Sequence, residues 1–447
     1  MLGCQQAFYL FLVAESLFLN PEYLNMFHKT ILPNKLRILA APMRGTNTVT
    51  ILVLCATGSD NEPRGKGGIS HFLEHMFFKG TRKRPTPQTI MQETVSMGAI
   101  SNAFTSHEIT GYYIKSGNVY LDRSIDLLAD IYQNSIFDPR EIEREKHVIV
   151  EELQKDRDTP TMYVYWLWEE LLYGRHQHAG RDVIGMEKDI RSLARSDFIR
   201  YFTHQYSAPN TIIIVAGNFD EARTVERLKH LFGDIRRYTP RPKGAFHEAQ
   251  RFPAVKVHFK ETDQTHLMLG FRTVPIGHRA RFILDVMEDF IGGNWSSRMF
   301  DAVRERGGLA YTVYSNSQLY ANRGYFTTYA GVSHGNVEKA VRVMLEEYKK
   351  VCDKQIGERE LRRAKEHMKG TSLIALESSN AVADFIGFQE AMTGRPMTIK
   401  EIFAKIESVT PAEIQAAARK FFRPERMNLA LIGPLKNESK FTKLLKI

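Results

Sequence analysis

The stretch His71-Phe72-Leu73-Glu74-His75 decides how the rest of the chain is interpreted. If this stretch is helical, residues four apart lie on one face, one turn above the other. Both imidazoles can then reach a single ion, and Glu74 stands on the same side of the helix. Two neutral nitrogen ligands and a carboxylate that can take a proton from water are the parts of a hydrolytic zinc site. The stretch therefore predicts a metal centre.

The alternative to a metal centre is a helix with an ordinary polar face. The flanking residues argue against it, because the motif runs into the apolar residues Met76-Phe77-Phe78. A helix with such flanks is buried nearly all round, and unpaired charge is costly inside a protein. A bound cation would pair the buried groups. Zinc needs a third protein ligand, and a later helical stretch offers Glu145, Glu151 and Glu152 as candidates.

Composition describes a globular protein of more than one domain. The chain has 447 residues with 43% hydrophobic and 25% charged residues, and domains of roughly 100–200 residues predict two to four units. The net charge is +10, but basic and acidic residues alternate, as at 140–146, which is typical of a solvated surface. With no recognisable nucleic-acid-binding motif in the sequence, we expect no nucleic-acid partner; a mild preference for acidic ligands stays open.

Cysteine usage and hydropathy bear on the compartment. Cys4, Cys55 and Cys352 are far apart and odd in number, which favours a reducing, cytoplasmic compartment over a disulfide framework. The apolar run at 7–14 is too short to span a bilayer and has no Lys or Arg before it. We expect no membrane partner. Residues 1–25 are interpreted as an N-terminal extension, with Met26 as a candidate natural start.

Two apolar strands with a glycine at or near their C-terminal end indicate an internal repeat. One is Thr211–Gly217, followed by an amphipathic helix, and its counterpart lies at 428–434. A stretch rich in Pro, Arg and Lys at 236–253 predicts a linker between two halves, 26–235 and 254–447. The predicted fold is α+β: two homologous halves in a clam-shell arrangement, each a mostly antiparallel sheet with helices packed on one face.

These motifs resemble the pitrilysin or insulinase-type family of inverted-motif zinc peptidases, and in particular its short branch, the mitochondrial-processing-peptidase-like proteins. In that family the third ligand is a glutamate on a later helix, with another glutamate seven residues earlier that supports the site. The resemblance implies that Glu152 is the ligand and that Glu145 supports it, with one Zn²⁺ per chain. Glu151 faces a different direction on the helix and is the weaker candidate.

Two further segments resemble parts of the same family. Residues 101–106 resemble its substrate-binding edge strand, which implies that Asn102 and Ala103 bind an extended peptide as an added strand; an ordinary hairpin is the alternative. Arg304 and Tyr311, seven residues apart in the second half, resemble a pair that reaches the zinc site and stabilises the oxyanion. Without the resemblance, Arg304 would be a surface charge and Tyr311 a core residue.

The resemblance implies a zinc-dependent endopeptidase that hydrolyses peptides or unfolded segments inside a closed chamber, with Glu74 as the proton-transfer group. Activity is expected to need closure of both halves, which makes 236–253 a hinge candidate. Members of the short branch work as dimers, so we expect a homodimer; a heterodimer with an inactive paralogue is the alternative. The alternative function is a non-catalytic scaffold or assembly subunit of the same family.

Overall fold

The first half is built on a six-stranded sheet. The computed structural model describes residues 27–445, so the predicted extension 1–25 and the start at Met26 lie outside the described residues. The strands of the first sheet are β1 His28–Ile31, β2 Arg37–Pro42, β3 Thr48–Cys55, β4 Ile100–Thr105, β5 Thr110–Gly117 and β6 Thr211–Gly217. They lie in the order β1-β2-β6-β3-β5-β4. β2 and β6 are parallel, and the other neighbouring strands are antiparallel.

The second half repeats this topology in a five-stranded sheet. Its strands are β7 Ala254–Phe259, β8 Thr265–Arg272, β9 Ala310–Leu319, β10 Gly324–Val332 and β11 Met427–Gly433. The order β7-β11-β8-β10-β9 matches β2-β6-β3-β5-β4, and β7 and β11 again form the parallel pair. β6 and β11 occupy the same place in the two sheets. The predicted α+β class with two homologous halves is therefore confirmed.

The helices of the first half follow the strands in chain order. They are α1 Ile69–Met76, α2 Pro87–Ser96, α3 Leu121–Asn134, α4 Pro139–Asp158, α5 Pro160–Tyr173, α6 Glu187–Ser192, α7 Arg195–Gln205 and α8 Glu221–Phe232. Short 3₁₀ turns lie at Ser59–Asn61, Asn118–Tyr120, His178–Gly180 and Ala208–Asn210. α4 begins after Asp138, whose carboxylate caps the helix by accepting the N–H of Arg140 at 2.7 Å.

The second half has the same alternation of strands and helices. Its helices are α9 Arg281–Glu288, α10 Val337–Asp353, α11 Glu358–Ala375, α12 Ser379–Thr393, α13 Ile399–Glu407, α14 Pro411–Phe421 and α15 Glu438–Thr442. π-Helical turns lie at Asp289–Gly293 and Phe300–Glu305, and 3₁₀ turns at His334–Asn336 and Pro424–Arg426. Among the described residues, none of these helices is long and apolar enough to cross a membrane.

Each sheet is covered on its second face by a helix from the other half. Every residue of β6 is buried. Ile213 and Val215 pack on helices of the first half, whereas Ile212 and Ile214 contact Ile386 and other residues of α12. A strand that is buried on both faces is apolar at consecutive positions rather than at alternating ones. The sequence of β6 has this pattern.

The second sheet is covered in the same way by a helix of the first half. Trp168 and Leu172 of α5, a helix of the first half, pack against Met268, Ala430 and Ile432 of the second sheet. The prediction of helices on one face of each sheet holds for the helices that pack on the sheet of their own half. The crossed-over helices are a finding of the structure, and they make the two hydrophobic cores depend on each other.

The segment 236–253 joins the halves without forming a helix or a strand. It is packed rather than free, because it makes contacts on both sides. Asn61 donates to the carbonyl of Arg241 at 3.1 Å, and Gly244 donates to the carbonyl of Asp60 at 3.1 Å. Farther along, Gln250 donates to the side chain of Asn428 at 3.1 Å. These contacts fix the segment to both halves.

Truncating Ile386 should therefore destabilise the first half, although the residue belongs to the second. We expect Ile386→Ala to lower the free energy of unfolding by about 2–5 kcal/mol, because the side chain is fully buried. Amide hydrogen exchange in β3 and β6 should accelerate. Ile374→Ala is the control, since Ile374 is 63% exposed on α11, and it should change stability by less than about 0.5 kcal/mol. Unchanged exchange in β6 of Ile386→Ala would contradict the shared core.

Candidate metal centre

Helix α1 carries the histidine motif, and its start is fixed by a buried carboxylate. The two oxygens of Glu62 accept the N–H groups of Gly68 at 2.8 Å and Ser70 at 2.9 Å, which would otherwise be free at a helix N-terminus. Gly68 has φ of 85°, and a Cβ there would lie 2.1 Å from the carbonyl oxygen of Ile184. Phe72, Leu73 and Met76 are fully buried, as the apolar flanks predict.

The structure brings His71, His75 and Glu152 together. Their candidate ligand atoms lie within 4.8 Å of one another. Nε2 of His71 is 3.7 Å from Oε2 of Glu152, and Nε2 of His75 is 3.6 Å from the same oxygen. Metal bonds of about 2.1 Å at tetrahedral angles place ligand atoms about 3.4 Å apart. The spacing fits a zinc ion better than direct hydrogen bonds, which need shorter distances. Glu151, the weaker candidate, is exposed.

The two imidazoles have different electrostatic surroundings. Burial, helped by the neighbouring His75, lowers the pKa of His71 to about 3, so this ring is neutral. For His75, burial lowers the pKa, but the hydrogen bond to Glu145 and the carboxylates of Glu74 and Glu152 outweigh it and raise the pKa overall. The carboxylates around His75 therefore favour a positive charge at this place, and a bound cation would supply one.

A contact behind His75 orients its ring. Nδ1 of His75 lies 2.8 Å from Oε1 of Glu145, so this nitrogen donates a proton to the carboxylate and leaves Nε2 toward Glu152. The other oxygen of Glu145 pairs with Nζ of Lys79 at 2.6 Å. Burial would raise the pKa of Glu145, but the bonds from His75 and Lys79 lower it. The histidine motif alone does not predict this ion pair between Lys79 and Glu145.

Glu74 connects the motif helix to the edge of the sheet. Its Oε2 accepts a hydrogen bond of 2.6 Å from the hydroxyl of Thr105, the last residue of β4. Burial raises the pKa of Glu74 to about 7, even though Thr105 and His75 act in the opposite direction. Thr105 lies within the predicted edge strand 101–106, but the sequence gives it no role of its own. It lies two residues beyond Ala103, so strand periodicity places it on the same face.

The predicted substrate strand is an edge strand. Within the described part of the chain, β4 pairs with β5 and ends the sheet. Asn102 is exposed, and its side-chain oxygen accepts the backbone N–H of Ala103 at 2.9 Å. Because β4 pairs with β5 on one side only, its other edge carries no strand among the described residues. The backbone at that edge is thus available to an added strand.

Arg304 and Tyr311 lie next to each other in the second half. The guanidinium of Arg304 is 5.0 Å from the centre of the Tyr311 ring and 4.8 Å from that of Phe300. Tyr311 is 75% exposed, so its interpretation as a core residue is wrong. Within residues 27–445, neither side chain makes a hydrogen bond, ion pair or ring contact with the histidine motif or with Glu152.

Two repeated α+β halves, with an inverted histidine motif on a helix of the first, define the class as inverted-motif metallopeptidase-like proteins. Residues 37–172 match the family model for insulinase (peptidase family M16), and residues 192–368 match that for the peptidase M16 inactive domain. The chain is 35% identical over 406 residues to an uncharacterized zinc protease, YmxG, of Bacillus subtilis, covering 90% of this chain and 97% of the relative. The chain belongs to the insulinase family, peptidase family M16, which confirms the resemblance.

Solved structures with the same fold include a protease and a chain of complex III2. A protease from Helicobacter pylori superimposes with a TM-score of 0.85 at 23% identity, over 95% of this chain and 100% of that one. A chain of complex III2 from Candida albicans has a TM-score of 0.80 at 16% identity, over 94% and 100%. At such identities the likeness shows the fold alone, and the site residues must decide the function.

Replacing Glu145 tests the contact behind His75. We expect Glu145→Gln to weaken zinc binding by about 10- to 100-fold, because the amide holds the imidazole less firmly than a carboxylate does. The affinity can be measured by competition with a chromophoric chelator. Glu143→Gln is the matched control, since Glu143 lies on the same helix with a side chain that is 69% exposed. Equal zinc affinity in the two variants would contradict the supporting role of Glu145.

Proposed function

We propose that this protein is a zinc-dependent endopeptidase that hydrolyses extended peptides or unfolded polypeptide segments. One observation carries the proposal: Glu74, on the same helix as His71 and His75, accepts a hydrogen bond of 2.6 Å from Thr105 at the end of the edge strand β4. A proton-transfer group, a metal site and a peptide-docking edge thus meet at one place. Relatives named zinc proteases support a general protease activity.

The residues present fit one zinc ion per chain. In the described part of the chain, His71, His75 and Glu152 are the group that could hold a metal. Two imidazoles and one carboxylate are the ligand set of hydrolytic zinc sites that keep a fourth position open. When bound, zinc would lower the pKa of a water molecule and polarise the scissile carbonyl.

The chain's own residues do the rest of the chemistry. The peptide adds to β4 as an antiparallel or parallel strand, through the backbone groups of the free edge of β4, so recognition tolerates many sequences. Glu74 takes a proton from the attacking water and passes it to the leaving amine. Thr105 holds the carboxylate at the end of the docking strand, where the scissile bond must lie.

We propose further that Arg304 and Tyr311 come from a second copy of the chain, in a homodimer that encloses a chamber. Two observations support this arrangement. Neither side chain contacts the metal site within its own chain, and the exchanged helices α5 and α12 hold the two halves of one chain together. Opening and closing about 236–253 would separate buried surfaces. A cation and a phenol supplied by the second copy would stabilise the oxyanion.

Replacing Glu74 separates hydrolysis from metal binding. We expect Glu74→Gln to lower kcat/KM on unstructured peptides by about 10²- to 10⁴-fold, because the amide cannot transfer the proton. Zinc content by elemental analysis should be unchanged. Glu151→Gln is the control, because Glu151 is exposed beside the ligand Glu152, and it should keep full activity. Full activity in Glu74→Gln would overturn the mechanism. A zinc-loaded unmodified protein that cleaves no peptide would favour the scaffold function.

Subunit complementation tests the origin of Arg304. Alone, Arg304→Ala should lower kcat/KM by about 10²-fold, whereas Arg306→Ala, in the same segment and paired with Asp301, should have little effect. Co-expressed Arg304→Ala and Glu74→Gln chains should regain about a quarter of the activity, since random pairing gives half mixed dimers with one intact site each. If both residues act within one chain, the mixture stays inactive.

A further inference from the structure

We propose that the turn between β9 and β10, in the second half, positions the substrate-binding edge strand of the first half. The inference rests on the proposed function of β4 as the docking strand. It concerns Tyr320, Ala321 and Arg323, none of which touches the metal ligands. We call these three residues and their partners in the first half the clamp.

The clamp binds the tight turn that joins β4 to β5. Ser106 closes this turn by donating its N–H to the carbonyl of Ile109 at 2.8 Å. The backbone before the motif helix lies against it: Ser59 donates to the carbonyl of Ser106 at 3.2 Å, and Asp60 donates to that of His107 at 2.8 Å. The approach is close enough that a Cβ on Gly58 would lie 2.2 Å from the Ser106 oxygen.

The second half binds the tip of this turn directly. The backbone N–H of Ala321 donates to both oxygens of Glu108, at 3.1 and 3.0 Å. Lys243 of the linking segment donates to the same carboxylate at 2.7 Å. The Glu108 side chain is 2% exposed, so its charge is satisfied by these donors rather than by water. Glu108 therefore joins the turn to two other parts of the chain.

Arg323 forms the charged core of the clamp. Its two terminal nitrogens bind the two oxygens of Asp60 at 2.6 and 3.2 Å, and both side chains are almost fully buried. The guanidinium also lies 4.1 Å from the ring centre of Tyr320 and 5.4 Å from that of Tyr173. A bidentate, desolvated pair of this kind specifies one geometry, because removing either partner leaves a buried charge unpaired.

A third connection runs through His107 at the turn. One nitrogen of this ring lies 2.6 Å from Oε2 of Glu169 and the other 3.0 Å from the hydroxyl of Ser59. Tyr320 donates its hydroxyl to the remaining oxygen of Glu169 at 2.5 Å. The hydroxyl of Tyr320 thereby completes a chain of bonds from the second half to the turn.

The clamp and the metal ligands are held by different groups. His75 is oriented by Glu145, and α1 is capped by Glu62, all within the first half. The edge strand is fixed at Thr105 by Glu74 and, just beyond, by the clamp. Loosening the clamp should therefore shift the docking strand while the ligand cluster keeps its geometry. The expected signature is a higher KM with little change in kcat or in zinc content.

Tyr320→Phe tests the clamp with the smallest change, since only the hydroxyl donated to Glu169 is lost. We expect amide hydrogen exchange across residues 100–109 of the zinc-loaded protein to accelerate about tenfold, which is typical of losing a bond to a charged group. KM for an unstructured peptide should rise several-fold, with kcat within about twofold. Glu108→Gln, which weakens the bonds from Ala321 and Lys243, should act in the same direction.

Tyr348→Phe is the matched control. It removes another buried hydroxyl of the second half, bonded to Thr328 and to the carbonyl of Leu269, and should leave exchange across 100–109 unchanged. The inference is overturned if both clamp variants leave that exchange unchanged, or if the control accelerates it equally. Failure of the proposed function looks different, because then the unmodified protein itself would cleave no peptide whatever the exchange rates show.

Discussion

The rest of the structure depends on the burial of the second face of each sheet. A mixed sheet with helices on one face leaves a large apolar surface on the other. In this chain α12 covers the first sheet and α5 covers the second. Neither half can bury its own sheet alone. The two halves are therefore one cooperative unit, and the linking segment 236–253 joins bodies that are already held together.

This constraint shapes the active site. Because the halves are fixed to each other, the turn of the second sheet can hold the turn of the first through Arg323 and Asp60. The edge strand β4 then has a defined position, and Thr105 at its end holds Glu74. The ligands are set separately, by the packing of α1 on α4. In the proposed function, peptide docking and metal binding thus rest on different contacts, and Glu74 connects them through Thr105.

Sequence alone predicts the local part of this picture. The spacing of His71 and His75 depends only on helix geometry, and the apolar strand Thr211–Gly217 is visible because its residues are consecutive in the chain. Thr105, Lys79 and the clamp depend on contacts between segments far apart in the chain, for which no local pattern exists. The sequence does not predict that α5 and α12 each pack on the sheet of the other half, for the same reason. An apolar helix is predicted to be buried, but its sequence does not indicate which sheet it packs on.

The internal repeat shows that the candidate ligand Glu152 and its neighbour Glu145 have no counterparts on the matching helix of the second half. α11 corresponds to α4, since each is the second helix after the matching strand, β10 or β5. Glu145 and Glu152 lie seven and fourteen residues after the cap Asp138; the same offsets from the cap Gly357 fall on Ala364 and Thr371. Without carboxylates there, the second half cannot build the same site. The second half instead supplies α12, the clamp turn and the pair Arg304 and Tyr311. In the proposed function, the first half therefore holds the metal, while the second half holds the docking strand in place and offers the oxyanion-stabilising pair to a second copy.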